Sequence, residues 1–273
     1  YRIVSMELSF HGRTMATLSA TGQEKVRHGY DPLLEGFDFV PFNDAEALRR
    51  AIGPETAAVM LEPVQGEGGV RRPDPGYLAR VRGLCNETGT LLIFDEIQTG
   101  MGRTGTLFAY EQFGVEPDIM TLAKALANGL PMGAMLAREQ VAAAFGPGAH
   151  ASTFGGTPIV SAAALEVCRI LGEGEVLAHA RAAAAHFRVR LEELKARHGV
   201  VEEVRGMGLL LGLKLAVDGE PFVHGCREAG FLINCVQGNV LRFVPPLIIT
   251  PEEIDALVAC LDRLFARAGK GAG

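Results

Sequence analysis

The sequence holds no CxxC pair and no cluster of histidine and cysteine. Its five cysteines, Cys85, Cys168, Cys226, Cys235 and Cys260, are odd in number and far apart. That argues against a disulfide framework and a structural zinc, and predicts free thiols in a reducing, cytoplasmic setting with no metal site. No uninterrupted apolar run reaches the ~18–20 residues of a membrane span, and no signal-peptide pattern opens the chain, so no membrane partner is expected. Basic runs are missing as well. The 26 Lys and Arg are scattered among 32 Asp and Glu for a net charge of −6, which leaves no footprint for nucleic acid and points to small molecules as partners. No GxGxxG follows an early strand with an acid about 20 residues on, which argues against a dinucleotide-dependent dehydrogenase. There is no internal repeat and no low-complexity tract. An initiator Met is also lacking: the chain opens directly in the strand-like "RIVSMEL", and the expectation is a piece of a longer protein.

What is present is an ordinary globular composition, 273 residues with 48% hydrophobic and 21% charged, enough for one large domain or a large one with a small one. Apolar runs alternate with helical stretches, the pattern of α/β architecture. "RIVSMEL", "DFVPF", "TAAVMLEPV" and "TLLIFDEI" read as strands. "AEALRRAI" and "PGYLARVRGLCNETG" read as helices, the second with Pro75 near its first turn and Gly89 past its end. After "PDIMTLAKAL" the strand "GAMLA" follows too soon for a helical crossover, so that pair is expected antiparallel in a mostly parallel sheet. Beyond "PIVSAAALEVCRIL" and the long Ala-rich helix ending near Gly199, shorter strands and helices follow. The predicted organisation is a large domain over 1–198, including the connecting helix, and a smaller α+β domain over 199–273.

Two residues carry the chemistry. Asp95 closes the apolar strand "TLLIFDEI", where α/β sheets place ligand sites, and Lys124 stands alone in the apolar "TLAKALANGLP", where an unpartnered ammonium needs a role. Separately, a strand-end Asp is often a helix cap and a lone Lys usually snorkels. Together they match what pyridoxal phosphate requires: a lysine for its Schiff base and a carboxylate that keeps its pyridine nitrogen protonated.

At this point "LLIFDEIQTGMGRTG" and "PDIMTLAKALANGLPMGAMLA" resemble the class III, ornithine-type aminotransferases of fold type I, and the resemblance runs over essentially the whole chain. It implies a pyridoxal-phosphate-dependent aminotransferase, with Lys124 catalytic and the cofactor held by Lys124, Asp95, Phe10, Gln98, Ser152 and Thr153. Phe10 would cover one face of the ring, and Gln98, one helical turn after Asp95, would bond its 3-oxygen. Ser152 and Thr153 of "STFGG" would reach the phosphate of a neighbouring subunit's cofactor, which implies a homodimer with shared sites. Arg13 would bind a substrate carboxylate through its planar fork. The family's main phosphate turn would lie upstream of Tyr1.

Substrate choice rests on "LEPVQGEGG" and "LRFVPPL". The resemblance implies that Glu67 pairs with Arg242 and releases it to bind a second carboxylate, while Glu62 supports the loop through hydrogen bonds. "SFHGRTMATLSATG" with "LRFVPPLIIT" is most similar to members that transfer the δ-amine of N2-acetylornithine to 2-oxoglutarate in arginine biosynthesis. Members acting on ornithine or 4-aminobutyrate are the alternatives. A noncatalytic member is argued against by the intact Lys124, Asp95, Gln98 and Arg13.

Overall fold

The computed structural model describes residues 1–270. The last three residues of the predicted second unit, 271–273, lie outside the described residues. Among the described residues ten strands form two sheets. The first sheet takes β1 (Arg2–Met6), β2 (Phe37–Val40), β3 (Thr56–Leu61), β4 (Leu91–Asp95), β5 (Ile119–Leu122) and β6 (Ala134–Ala137) in the order β2-β1-β3-β4-β5-β6. All its pairings are parallel except the last, β5 with β6, which is antiparallel as the short connection requires. The second sheet takes β7 (Val201–Met207), β8 (Leu210–Leu215), β9 (Asn234–Val236) and β10 (Val240–Phe243) in the order β7-β8-β10-β9, antiparallel throughout.

The helices are α1 (Met15–Ser19), α2 (Glu24–Arg27), α3 (Ala45–Ala51), α4 (Tyr77–Thr88), α5 (Tyr110–Phe113), α6 (Glu139–Ala142), α7 (Pro158–Gly172), α8 (Glu175–Arg197), α9 (Glu220–Glu228) and α10 (Pro251–Lys270), with a 3₁₀ turn over Lys124–Ala127. Among the described residues no helix is long and apolar enough to cross a membrane. α4 ends where Gly89 takes φ 72°, a left-handed cap that a residue with a Cβ adopts only at a cost.

Hydrophobic periodicity explains the layers. Strands β1, β3 and β4 read as near-continuous apolar runs because both faces of a parallel sheet are covered. Val4, Val59, Leu61, Leu92 and Phe94 pack with α3 and α4 through Leu48, Leu78, Val81 and Leu84. Met120, Leu122, Leu126 and Ala127 pack with Ala164 and Leu171 of α7. In α8, Ala180, Ala183, Ala184, Phe187, Leu191 and Leu194 recur every three or four residues, a single helix face. That face is buried with β7, β8, β10 and α10 in the largest of the core clusters.

Strand order places the functional region. The chain leaves β1 for β2 on one side and then crosses to β3 on the other, so the connections after β1 and β3 diverge at the carboxyl ends of the strands. That is the crevice in which open α/β sheets bind ligands.

Candidate active site

Four of the sequence-predicted residues lie at or shortly beyond the carboxyl ends of strands: Phe10 after β1, Glu67 after β3, Asp95 at the end of β4 and Lys124 after β5. Asp95 is the last residue of β4 and is 3% exposed. Its Oδ1 accepts from the amide of Ile97 at 3.0 Å, and its Oδ2 lies 2.7 Å from Nδ1 of His11, which is also buried. A carboxylate only accepts, so His11 donates from Nδ1. Nε2 of His11 is buried and among the described residues has no hydrogen-bond partner. His11 is brought there because Leu8 takes φ 62° just past β1 and because its own amide donates to Oγ1 of Thr21 at 3.0 Å.

Lys124 has φ 48°, left-handed for a residue with a Cβ. Such a conformation costs on the order of 1–3 kcal/mol and persists only where its surroundings hold it. Here Leu126 and Ala127, buried in the next turn, anchor the segment. Two residues past β5, Lys124 stands within Coulombic range of Asp95, Glu67, Glu62 and Arg242. Lys124 lies open to solvent on one side and makes no ion pair among the described residues. Desolvation by the protein on its other sides lowers its pKa, and Arg242 adds to this, while Asp95, Glu67 and Glu62 pull the other way. The lysine therefore sits within Coulombic reach of every charged group of the site except Arg13 and gives up its proton more readily than a surface lysine does.

The loop after β3 supplies the rest. Glu62, 3% exposed, accepts from the amide of Phe10 at 3.2 Å and from that of Gly66 at 3.3 Å. Burial pushes its carboxyl up to about 7, with Asp95 adding and His11 and the two amides opposing. The unfolded chain loses this proton near 4.5 whereas the folded protein keeps it to about 7. Between those values the folded state binds the extra proton, so stability falls as pH rises and levels off above 7. Replacing Glu62 by Gln removes this slope. Urea unfolding of the cofactor-free protein at pH 5 and pH 8 is expected to show the wild type losing roughly 2–3 kcal/mol more than Glu62→Gln does; parallel losses would contradict the assignment.

Glu67 and Arg242, 175 residues apart in sequence, meet at 2.7 Å. Nη1 of Arg242 also donates to Oε1 of Gln98 at 3.2 Å, and its Nε donates to Oδ1 of Asn234 at 3.2 Å. Gln98 closes the triangle, with Nε2 at 3.5 Å from Glu67. Gln237, at φ 53° in the turn between β9 and β10, donates to the carbonyl of Glu67 at 2.8 Å. Both the side chain and the backbone of Glu67 are thus tied to the second sheet. Gly66 leaves room for Gln98: a Cβ there would stand 2.3 Å from Oε1 of Gln98.

The other predicted residues fall as follows. Phe10 is half-buried beside Glu62, and the Arg13 guanidinium lies 5.7 Å from the centre of its ring. Gln98 sits in a run of turns over residues 97–104, the first of them closed by the amide of Gly100 donating to the carbonyl of Glu96 at 2.9 Å. The cause is Glu96, whose buried carboxylate takes the amides of Ala109 and Tyr110 and the hydroxyl of Thr99, folding the segment back on itself. Ser152 and Thr153 are exposed on the turn before α7, and among the described residues neither side chain makes a hydrogen bond. Sequence reasoning missed His11 and Asn234. A histidine inside "SFHGRT" next to an aromatic was a signal; Asn234 became readable only with the register that sets it opposite Arg242.

The donor set suits one kind of ligand: an amine of lowered pKa, a buried carboxylate that can oppose a cationic ring nitrogen, and an aromatic ring carried by the loop after β1.

Comparison with known proteins bears on this geometry. The Aminotransferase class-III family profile matches residues 1–265. The acetylornithine aminotransferase of Methanocaldococcus jannaschii is 48% identical over 98% of this chain and 67% of its own length. That of Methanosarcina mazei is 52% identical over 95% and 65%. Among solved structures, the ornithine aminotransferase of Toxoplasma gondii superposes with a TM-score of 0.93 at 36% identity, covering 99% of this chain and 66% of that one. The chain spans about two thirds of the length of the curated relatives it matches.

Proposed function

This chain belongs to the class III aminotransferases, and we propose that with pyridoxal phosphate it transfers the δ-amino group of N2-acetylornithine to 2-oxoglutarate, giving N-acetylglutamate 5-semialdehyde and glutamate. The observation that carries the reading is the joined pair of sites. Lys124 and Asp95 supply the amine and the carboxylate, and within reach of them Glu67 holds Arg242 at 2.7 Å. The relatives called acetylornithine aminotransferase, at about half identity, favour that donor. Ornithine is the second reading, supported by the fold shared with an ornithine aminotransferase at 36% identity.

When bound, pyridoxal phosphate supplies an electrophilic carbonyl and a protonated ring that draws electrons from the substrate carbon. Lys124 would hold the cofactor covalently and, once displaced by substrate, would take the proton from the carbon bearing the amine with a neutral Nζ. Asp95 would oppose the ring nitrogen, oriented by the amide of Ile97 and by His11. Phe10 would cover one ring face, Gln98 would approach the ring oxygen, and Arg13 would take a substrate carboxylate in its fork.

Glu67 and Arg242 would act as a gate. Closed, the pair presents no free cation; opened, Arg242 binds the second carboxylate of glutamate or 2-oxoglutarate. Replacing Glu67 by Ala leaves Arg242 free. The preference for N2-acetylornithine over glutamate, as a ratio of kcat/KM, is expected to fall about tenfold or more. An unchanged ratio in steady-state assays with both donors would remove the gate from the account.

We also take the enzyme to be a homodimer, with Ser152 and Thr153 serving the partner subunit's cofactor. Their open position is one support; another is the large apolar side chains left exposed nearby in the chain, Phe154 and Ile159 at 78% and Leu165 at 72%. The five free cysteines suit the cytoplasm, the compartment we propose.

A further inference from the structure

A second charged cleft stands apart from the crevice. Its volume is about 740 Å³, and it lies where residues 70–79, the face of α8 at Arg188 and strand β7 come together. Arg71, Arg72, Arg188 and Arg205 all line it, against only two carboxylates, Asp74 and Glu203. In a protein of net charge −6 this is a local reversal of sign.

The carboxylates do not neutralise the cluster. Glu203 is engaged by Nε of Arg205 at 2.7 Å. Arg205 and Arg188 otherwise spend donors on backbone carbonyls, those of Gly69 and Gly206. The Arg71 guanidinium lies 5.8 Å from the ring centre of Phe42, and among the described residues neither Arg71 nor Arg72 makes a side-chain hydrogen bond or ion pair. The cations also press on one another. Burial lowers the pKa of Arg71 and of Arg188, and Arg205 in the first case and Arg72 in the second add to the effect. The amino end of the twelve-residue helix α4 opens on the same cleft through Gly76, Leu78 and Ala79, and Gly76 offers no side chain to cap it. The amide of Tyr77 donates to the carbonyl of Asp74 at 3.0 Å, and among the described residues those of Leu78 and Ala79 are left for another acceptor.

We propose that this cleft is a binding site for a small compound carrying at least two negative charges on phosphate or carboxylate groups, gripped by Arg71 and Arg72 from one wall and by Arg188 and Arg205 from the other. Planar guanidinium forks bind both groups in two-point contacts. The volume suits a small molecule. The site is independent of the reaction proposed above, since neither Lys124 nor Asp95 lines it.

The test is isothermal titration calorimetry on the full chain loaded with cofactor, so that the catalytic phosphate position is filled. Pyrophosphate and citrate are the two probes. Wild type is expected to bind at least one of them saturably, once per chain and more weakly as salt is raised; the tighter probe tells phosphate from carboxylate. Arg72 makes no structural hydrogen bond, so Arg72→Glu and the milder Arg72→Gln are expected to fold. A loss of about tenfold or more in affinity for Arg72→Glu and a smaller loss for Arg72→Gln are the expected results. No saturable binding of either probe by wild type, or unchanged affinity in Arg72→Glu, would overturn the assignment.

Discussion

Replacing Lys124 by Ala is expected to abolish transamination, with a loss of about four orders of magnitude or more from removing both the covalent anchor and the general base. The expectation rests on position as well as residue type. A lysine held at φ 48° without an ion-pair partner among the described residues is strained where it stands, and desolvation by the protein lowers its pKa. A lysine with only a structural role would be better placed in a salt bridge on the surface. The variant should still fold, because the buried anchors of its turn are Leu126 and Ala127. It should also keep measurable noncovalent affinity for pyridoxal phosphate, since Asp95 and Phe10 are untouched. Single-turnover assays check this directly; a rate above about 1% of wild type would remove Lys124 from the catalytic role.

The second large effect is expected at Asp95. Asparagine keeps the shape and the acceptor for the amide of Ile97 but removes the charge. Stripping one partner from a buried ionic arrangement costs about 3–5 kcal/mol. At 1.36 kcal/mol per decade that is about a hundred- to several-thousandfold in rate. The lost charge affects His11 too, since its Nδ1 at 2.7 Å would face a neutral group. Asp95→Asn should therefore lower kcat strongly while Lys124 still attaches to cofactor, separating it from Lys124→Ala. A kcat within threefold of wild type, or about that, would mean that Asp95 is a structural strand end and no counterion.

The parts of this molecule that were legible in the sequence are those set by local chemistry. The runs "AVML" and "LLIF" announce strands covered on both faces, and the short connection after β5 announces its antiparallel partner. Asp95 and Lys124 stand out because charge at the end of an apolar run is costly without a function. The fold of the segment after Asp95 is not legible locally, because its turns are dictated by Glu96, which collects amides thirteen and fourteen residues away. His11 escaped notice because a single histidine beside an aromatic is more often plain core. The meeting of Glu67 with Arg242 depends on how the second sheet sits against the loop after β3, a long-range contact that no local pattern encodes. Asn234 depends on the same packing plus the register of β9 on β10. The left-handed Leu8 and Lys124 are invisible for a related reason: strain is tolerated only where tertiary structure enforces it.

The central claim is that Lys124 is the residue to which the cofactor attaches and through which the amino group is moved. The most direct measurement is to load the full chain with pyridoxal phosphate, reduce it with borohydride, digest it and locate the pyridoxyl label by mass spectrometry, with a parallel sample first exposed to N2-acetylornithine. The account predicts the label on Lys124 in the first sample and its loss from Lys124 in the second. A label on any other lysine of the chain, or none at all in a protein that still turns over, would contradict it.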